Sequence, residues 1–507
     1  MTISTNVTAL NIGIESSLNT APAVLRGVEP NSYADSGPRF DQIARDVISS
    51  RRDRVKGTQV DVKIPFGFQF DWTQTTMLPF LQGVMWNPTV DKAGTAPITG
   101  TQVTITSVSS TTTYNAASGL TTLGVAGHLV LAESFTNSAT NGLKLVASGS
   151  STTVVTTGLT NETPPAGAKL TLVGHQFGSA DVAATLAGSF ATLTSAASAF
   201  VTGLPGVAAG EWIIVGGDDA NTFFATCPLF MGRVRTIAAG TIVLDDVITL
   251  GGASFSADAG TGKTIQIFTG GKLTNGSTRQ LIHSEVQLGQ GATATQAMYL
   301  TGGVANTLTI GVPSKSKIIG DIAYNCHGYY FKSGESGDEI VSATRTSDAA
   351  EDPFNTATDI KALKLSVADD DSIHDALFAY AVEGSIEINN NVFVENALGV
   401  FGPHNIDCGT FFCDLKLNAF FEGTDAMESL AENQNIQCTK VIAQSSTQKG
   451  FIFDVPRGTL GGNVELSKDQ SIKAPLTLSG ARSRFGHTLM INYFAYYPEW
   501  LASAGLS

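Results

Sequence analysis

The chain has 507 residues, 30 of them Lys or Arg and 44 Asp or Glu, for a formal charge of −14 with only 15 % of residues charged. Its length exceeds one average domain and allows two to four units, each with a sizeable core. An acidic balance of this kind argues against a protein that grips nucleic-acid phosphates through clustered cations, while 53 glycines and recurrent Thr and Val favour turn-rich β-structure over helical bundles.

Met1–Leu25 has no Lys or Arg before Glu15 and no continuous apolar core, so it does not read as a secretory signal, and no segment approaches the roughly 18 apolar residues of a membrane span. The expectation is a protein made and kept in a cytoplasm. Thr58–Asp71 then alternates strictly, with Val60, Val62, Ile64, Phe66, Phe68 and Phe70 on one face, as a half-buried strand does. Thr73 and Thr75 offer caps for a short amphipathic helix through Met77, Leu78, Leu81, Val84 and Met85, ending near Asn87-Pro88. From about Gly100 to Leu250 the texture changes to Thr, Ser, Ala and Gly with few charges. There Ala126–Val130 and Ala209–Val215 look alike, either as one or two related β-modules or as convergence among Gly- and Thr-rich strands.

Glu335–Asp375 is polar and acidic around a weak apolar patch at Ile360, Leu363 and Leu365, and long irregular segments of this kind are commonly functional or disordered. Ser385–Asn391 reads as an exposed strand entering a turn, because Asn tolerates left-handed backbone angles and bonds its own main chain. The opening grammar recurs late in the chain: Phe411, Cys413, Leu415, Leu417, Ala419 and Phe421 share a strand face, and Gly423-Thr424-Asp425 leads into a helix from Ala426 to Glu432. Alternating runs follow at Thr439–Ala443, Phe451–Val455, Val464–Leu466, Ile472–Leu478 and Leu489–Tyr496, which suggests an antiparallel sandwich or barrel.

No motif proposes chemistry. Gly260–Thr264 resembles the end of a phosphate loop, but Ala257 stands where that pattern needs Gly and a strand replaces the required helix, so it reads as a turn. Cys227, Cys326, Cys408, Cys413 and Cys438 form an odd, scattered set suited to reduced thiols. Cys408 and Cys413 fall on opposite faces of the predicted strand, about 16 Å apart, beyond a shared ion or disulfide. Asp369-Asp370-Asp371 lacks the Gly and distal Glu of a calcium loop. Seven dispersed histidines give no His-Glu-x-x-His pair, and no Gly-x-Ser-x-Gly elbow is present. The aromatic run of Tyr493, Phe494, Tyr496, Tyr497 and Trp500 lacks the basic neighbours of a base-stacking platform and reads as core or interface. The sequence therefore assigns no catalytic residue, cofactor or metal.

The order of these features resembles the major tail tube proteins of long-tailed, non-contractile (siphovirus-like) bacteriophages. The pieces carrying the resemblance are Arg51–Gly57 followed by Thr58–Asp71 and the Met77–Met85 helix, then the Ala209–Val215 module, Asp352-Pro353-Phe354-Asn355, Ser385–Asn391, and Gly399–Phe421 with its helix. They extend over most of the chain outside Gly100–Ala208. The family typically has one insertion of this kind, whereas this chain carries extra material.

The resemblance implies a mainly β, antiparallel sandwich or barrel-like tube fold with a short flanking helix and inserted small β-modules. It divides the chain into a first part of the tube domain at 1–99, surface modules at 100–250, and a second part at 251–507 with an arm near 335–375. It further implies homo-hexameric rings stacked into a tube in the virion tail, assembled in the host bacterial cytoplasm. The implied partners are further copies of the chain, a tape measure protein, a tail terminator, and double-stranded DNA passing without specific binding, with no membrane. A ring needs long strands whose edges pair with neighbours, which nominates Val60, Val62, Ile64, Phe66, Phe68, Leu415 and Leu417 as inter-subunit positions. The arm nominates Asp352, Phe354, Asn355, Ile360 and Leu363 for ring stacking. An acidic inner wall would repel DNA phosphates. The competing expectations are a capsid decoration or baseplate and adhesion protein, and an enzyme acting on polysaccharide through a carboxylate pair in a cleft.

Overall fold

The structure, a computed structural model, describes residues 8–45, 48, 55–74, 77–87, 102–187, 190–227, 229–249, 255–289, 296–347, 351–368, 376–377, 381–420, 425–464 and 471–498. It is mainly β with antiparallel sheets in an open, sandwich-like arrangement and a few short helices, as the alternating runs predict. The chain divides into two compact units. One comprises Met1–Pro88, Asn275–Phe354 and Glu383–Lys416; the other comprises Thr89–Thr274, Asn355–Val382 and Leu417–Ser507.

The first unit begins with six strands: β1 (Thr8–Glu15), β2 (Val24–Val28), β3 (Pro30–Ser36), β4 (Arg39–Arg45), β5 (Val55–Lys63) and β6 (Pro65–Asp71). Its organiser is the 17-residue strand Gln296–Val312. The first half of that strand pairs with Leu281–Leu288, which continues to β1, and with Gly328–Lys332; the second half pairs with Ile319–Asn325 and Ala381–Asn389. Ile319–Asn325 in turn pairs with β6, and β6 with β3. Between the halves stands Gly302 at φ +59°, in the left-handed region where glycine carries no steric penalty. Its amide donates to the buried carboxylate of Glu15 at 3.0 Å, which also accepts from the Asn19 amide at 3.0 Å and lies 3.1 Å from His283 Nδ1. The bend is thus tied to the end of β1 by charge-assisted hydrogen bonds.

The helix α1 (Met77–Met85) occupies the predicted span and buries Met77, Phe80, Leu81 and Val84, whose three-and-four spacing places them along one stripe. Pro79 falls in the first turn, where a missing amide is tolerated. The Phe80 ring packs on Phe68 and Phe70, at centroid distances of 5.6 and 5.1 Å. The proposed cap Thr75 lies outside the described residues.

Two sequence expectations change here. Thr58–Asp71 is two strands rather than one, because Pro65 has no amide to continue a ladder; the chain breaks at Ile64, and the two sides find different partners. β6 is enclosed between β3 and Ile319–Asn325, so Phe66, Phe68 and Phe70 are core. β5 pairs with β4, and Val60 is exposed while Val62 is buried. Likewise Cys408 does not share a strand with Cys413. It follows Asn405–Asp407 in a turn in which the Gly409 amide donates to the carbonyls of Asn390 and Asn391, and Cys413 alone belongs to Phe412–Phe420. That strand shows the predicted alternation, burying Cys413, Leu415, Leu417 and Ala419.

In the second unit a sheet runs through Gly142–Leu145, His128–Glu133, Lys169–Gln176, Gln266–Thr269, Trp212–Val215, Phe230–Ile237, Thr241–Thr249, Phe190–Ser195 and Val182–Ala187. It carries two separate apolar cores, one with Tyr114, Leu120, Val130 and Leu170, the other with Leu193, Ile213, Phe230 and Ile267. The two look-alike stretches sit one in each part, and each enters its strand through a left-handed glycine, Gly127 at φ +89° and Gly210 at φ +90°. A further sheet joins Ile360–Val367, Asn435–Gln444, Lys449–Gly462, Met490–Phe494 and Gly271–Thr274. Trp212, Ile214 and Phe268 of the first sheet share a core with Val441, Ile452 and Phe494 of the second.

The segment expected as an irregular arm therefore contains a regular strand, Ile360–Val367, whose Ala362 and Leu365 are buried. Asp369-Asp370-Asp371 lies outside the described residues. Phe494, Tyr496 and Tyr497 are buried, and Trp500 again lies outside. The late helix is Asp425–Ala431, close to its predicted span.

Candidate assembly surface

The most exposed regular structure in the first unit is the ribbon of β4 and β5. All seven residues of β4 are exposed, including Phe40 and Ile43, and among the described residues each strand pairs with the other alone. Arg-Phe-Asp-Gln-Ile-Ala-Arg lacks the alternation of a half-buried strand because neither face is covered. A bulge between Asp41 and Gln42, together with the charges of Arg39, Asp41 and Lys63, twists and polarises an edge that would otherwise invite uncontrolled pairing. Phe40 closes the base of the ribbon against Tyr329, edge to face at 5.8 Å.

Of the nominated strand positions, Val60 and Val62 lie on this ribbon, and Val60 alone is exposed; Val62, Ile64, Phe66, Phe68, Leu415 and Leu417 are buried within the chain. Among the arm positions, Asp352 is exposed, Asn355, Ile360 and Leu363 are half-buried, and Phe354 is fully buried, its amide donating to Trp72 O. Asn355 instead organises a local turn, its Oδ1 accepting from the amides of Ala357 and Thr358 at 3.0 and 2.8 Å.

The asparagine cluster after Ala381–Asn389 has a positional task. Asn391 takes φ +46°, as expected of an Asn turn, and its Nδ2 donates to Thr410 O at 2.7 Å. Asn390 is buried and donates to Val84 O at 2.8 Å, near the end of α1, and to Ala305 O at 3.0 Å. One amide group therefore ties the helix, the long strand and the turn together.

Two buried polar networks mimic catalytic clusters but are internally satisfied. In the first unit Glu285 accepts from Tyr299 Oη at 2.6 Å, Asn11 Nδ2 at 2.9 Å and Arg345 Nε at 2.8 Å. Burial pushes its carboxyl up, but the Arg345 and Tyr299 hydrogen bonds outweigh this and hold it below the usual range. In the second unit the guanidinium of Arg233 donates to Asp245 at 3.0 and 3.2 Å, to both oxygens of Asp454 at 3.2 Å, and to Gln437 Oε1 at 2.5 Å. Arg484 reaches Asp245 from the other side. Burial opposes the charge on Arg233, yet Asp454 and Asp245 keep it protonated; Asp454 itself is held above the usual carboxylate range by burial. These are bidentate, fork-shaped contacts that orient strands.

Gly260–Thr264 is a turn followed by the strand Gln266–Thr269, with Lys263 Nζ donating to Ala220 O at 2.7 Å. Among the described residues no group of three His, Cys, Asp or Glu is placed to hold a metal ion, and no helix is long and apolar enough to cross a membrane.

Fold and surface together define an antiparallel β protein that presents an exposed two-stranded ribbon. Residues 230–480 match the phage tail tube protein family, and the chain belongs to that family. Membership makes it a structural component of the virion tail. No curated protein matches the chain.

Proposed function

We propose that the chain self-assembles into stacked hexameric rings that form the tail tube of a long-tailed, non-contractile phage, through which genome DNA is delivered. Beyond family membership, the observation carrying this reading is the β4–β5 ribbon, whose edges have no partner among the described residues of the chain and are available to a neighbour. In this reading Val60 lies in the inter-subunit contact, while the buried Phe66, Phe68, Leu415 and Leu417 stiffen their own strands. Asp352 and Asn355 are offered to the next ring. The protein works structurally and not as an enzyme, is assembled in the host cytoplasm, and meets a tape measure protein and a tail terminator there. The formal charge of −14 suits a wall that repels DNA phosphates.

Negative-stain electron microscopy of the purified protein tests the proposal. Extended tubes of constant bore are expected. Discrete oligomers would favour a capsid decoration or baseplate role instead, and a predominantly basic lumen would overturn the acidic-wall reading.

A further inference from the structure

The hairpin Phe393–Glu395/Asn405–Asp407 carries a cluster of exposed apolar residues around Leu398. Its connecting loop reads Asn-Ala-Leu-Gly-Val-Phe-Gly-Pro-His from 396 to 404, with no Asp, Glu, Lys or Arg. Leu398 is fully exposed, and Phe401, Val400, Phe393 and Val394 retain 51 %, 43 %, 46 % and 43 % of their surface. At roughly 150–200 Å² for a fully exposed side chain of this size, the five present on the order of 500 Å² of apolar surface. Phe393 and Val394 are successive on their strand and face opposite sides, so one side presents about 400 Å² of it, the scale of the largest patch on a typical monomer, commonly a functional one, and about half of the ~800 Å² that one partner buries in a standard interface.

The loop is held in shape. Val400 donates its amide to Ala397 O at 3.1 Å, and His404 donates to Glu395 O at 2.9 Å. Gly399 and Gly402 take φ +80° and +95°, angles at which a β-branched or bulky residue would be strained. Asn396 Nδ2 donates to Asp61 Oδ2 on β5 at 3.1 Å, and a Cβ on Gly402 would stand 2.9 Å from Val62 Cγ1. The loop therefore adjoins the β4–β5 ribbon, which itself exposes Phe40 and Val60.

We infer that this loop is a preorganised docking element whose occupant is a second copy of the chain. The inference rests on the self-assembly proposed above and adds to it the residues that carry the contact. Three observations choose the occupant: an area suited to a protein interface, continuity with the ribbon assigned to inter-subunit contact, and a tip without the cations that phosphate or anionic lipid would require.

The test is Leu398→Asp and Phe401→Ser in the full chain, with Phe401→Leu as the conservative control, read by sedimentation velocity across a concentration series. Each variant's thermal midpoint and circular dichroism are measured to confirm that the exposed substitution leaves the fold intact. At least tenfold weaker self-association for Leu398→Asp and Phe401→Ser, with Phe401→Leu near wild type, is the expected result. A benzophenone label on Leu398→Cys should crosslink to a second copy. Wild-type association by the two disruptive variants would overturn the inference even if tubes form. So would loop-dependent binding to neutral phosphatidylcholine vesicles with self-association unchanged. Wild-type protein that associates through this loop but forms no tubes would refute the tube reading alone.

Discussion

Replacing Arg233 by Met tests how the second unit tolerates its buried charges. Arg233 is 2 % exposed, and its two carboxylate partners, Asp245 and Asp454, are 1 % and 0 % exposed. Without the guanidinium, Asp245 keeps Arg484, whereas Asp454 keeps only uncharged donors, among them the Thr439 hydroxyl, which donates to it at 2.9 Å. Stranding a buried partner in this way costs about 3–5 kcal/mol. At roughly 2 °C per kcal/mol for a unit of this size, the thermal midpoint at pH 7 should fall by about 6–10 °C. The pH dependence follows from Asp454. Burial already raises its folded-state carboxyl above the usual range, so the folded state binds this proton more readily than the unfolded one; stability is lost as pH rises through that titration and regained as pH falls. Arg233→Met strengthens the effect, so the gap to wild type should narrow between pH 7 and pH 5. Adding Asp454→Leu should recover most of the loss at pH 7. A midpoint within about 2 °C of wild type at pH 7, or a gap that stays constant with pH, would refute the reasoning.

Lys440 is 2 % exposed, its Nζ has no hydrogen-bond partner among the described residues, and burial lowers its amine to about 8. The folded state therefore binds that proton less readily than the unfolded one, and the penalty is complete below pH 8 and gone above the ordinary value of 10.5. Lys440→Met should stabilise by about 3 kcal/mol at pH 7, shrinking toward zero as pH approaches 10.5, measured as denaturation midpoints in guanidinium chloride. His487, buried beside Arg233, is lowered to about 4 by burial first and that charge second. Its contribution is present above pH 6.5 and lost as pH falls toward 4, so His487→Phe should flatten the acid limb of a stability profile. Asn390→Ala removes donors to Val84 O and Ala305 O and should cost about 2–4 kcal/mol, with faster hydrogen exchange in α1 as the local signature. Gly302→Ala forces φ +59° on a residue with a Cβ, which would stand 2.5 Å from Leu18 Cδ1 and 3.0 Å from His327 Cβ; a loss of about 1–3 kcal/mol is expected, and a neutral result would mean that the bend relaxes.

Periodicity made the fold class and several elements legible. The Met77–Met85 stripe and the alternation of Phe412–Phe420 are local patterns that burial on one side preserves. What stayed hidden has local causes as well. Pro65 interrupts a run whose apolar alternation continues across it, so side-chain pattern and backbone hydrogen bonding give opposite answers at one residue. Ile360–Val367 mixes Lys and Ser with Leu because Lys364 reaches Asp246 at 2.6 Å and Ser366 is buried against Gln437; polar residues paired inside the unit imitate a solvated arm. β4 carries no pattern because nothing covers it. The Leu398–Phe401 tip offered a signal that was readable, apolar residues between turn-forming glycines without a compensating charge, and marking it required giving weight to what a loop lacks. Arg233, Asp245 and Asp454 are separated by up to 221 residues, and no spacing rule connects them.

Gln296–Val312 has a mechanical consequence. Since one backbone serves as a rung in two ladders, tension applied along either is borne by the other, and neither can be peeled away while its counterpart stays whole. The Glu15 carboxylate clamps the point where the load changes direction. In the first unit, slow exchange of the amides of Leu281–Leu288 and of Ala381–Asn389 should therefore fail together under denaturant, as a single cooperative block.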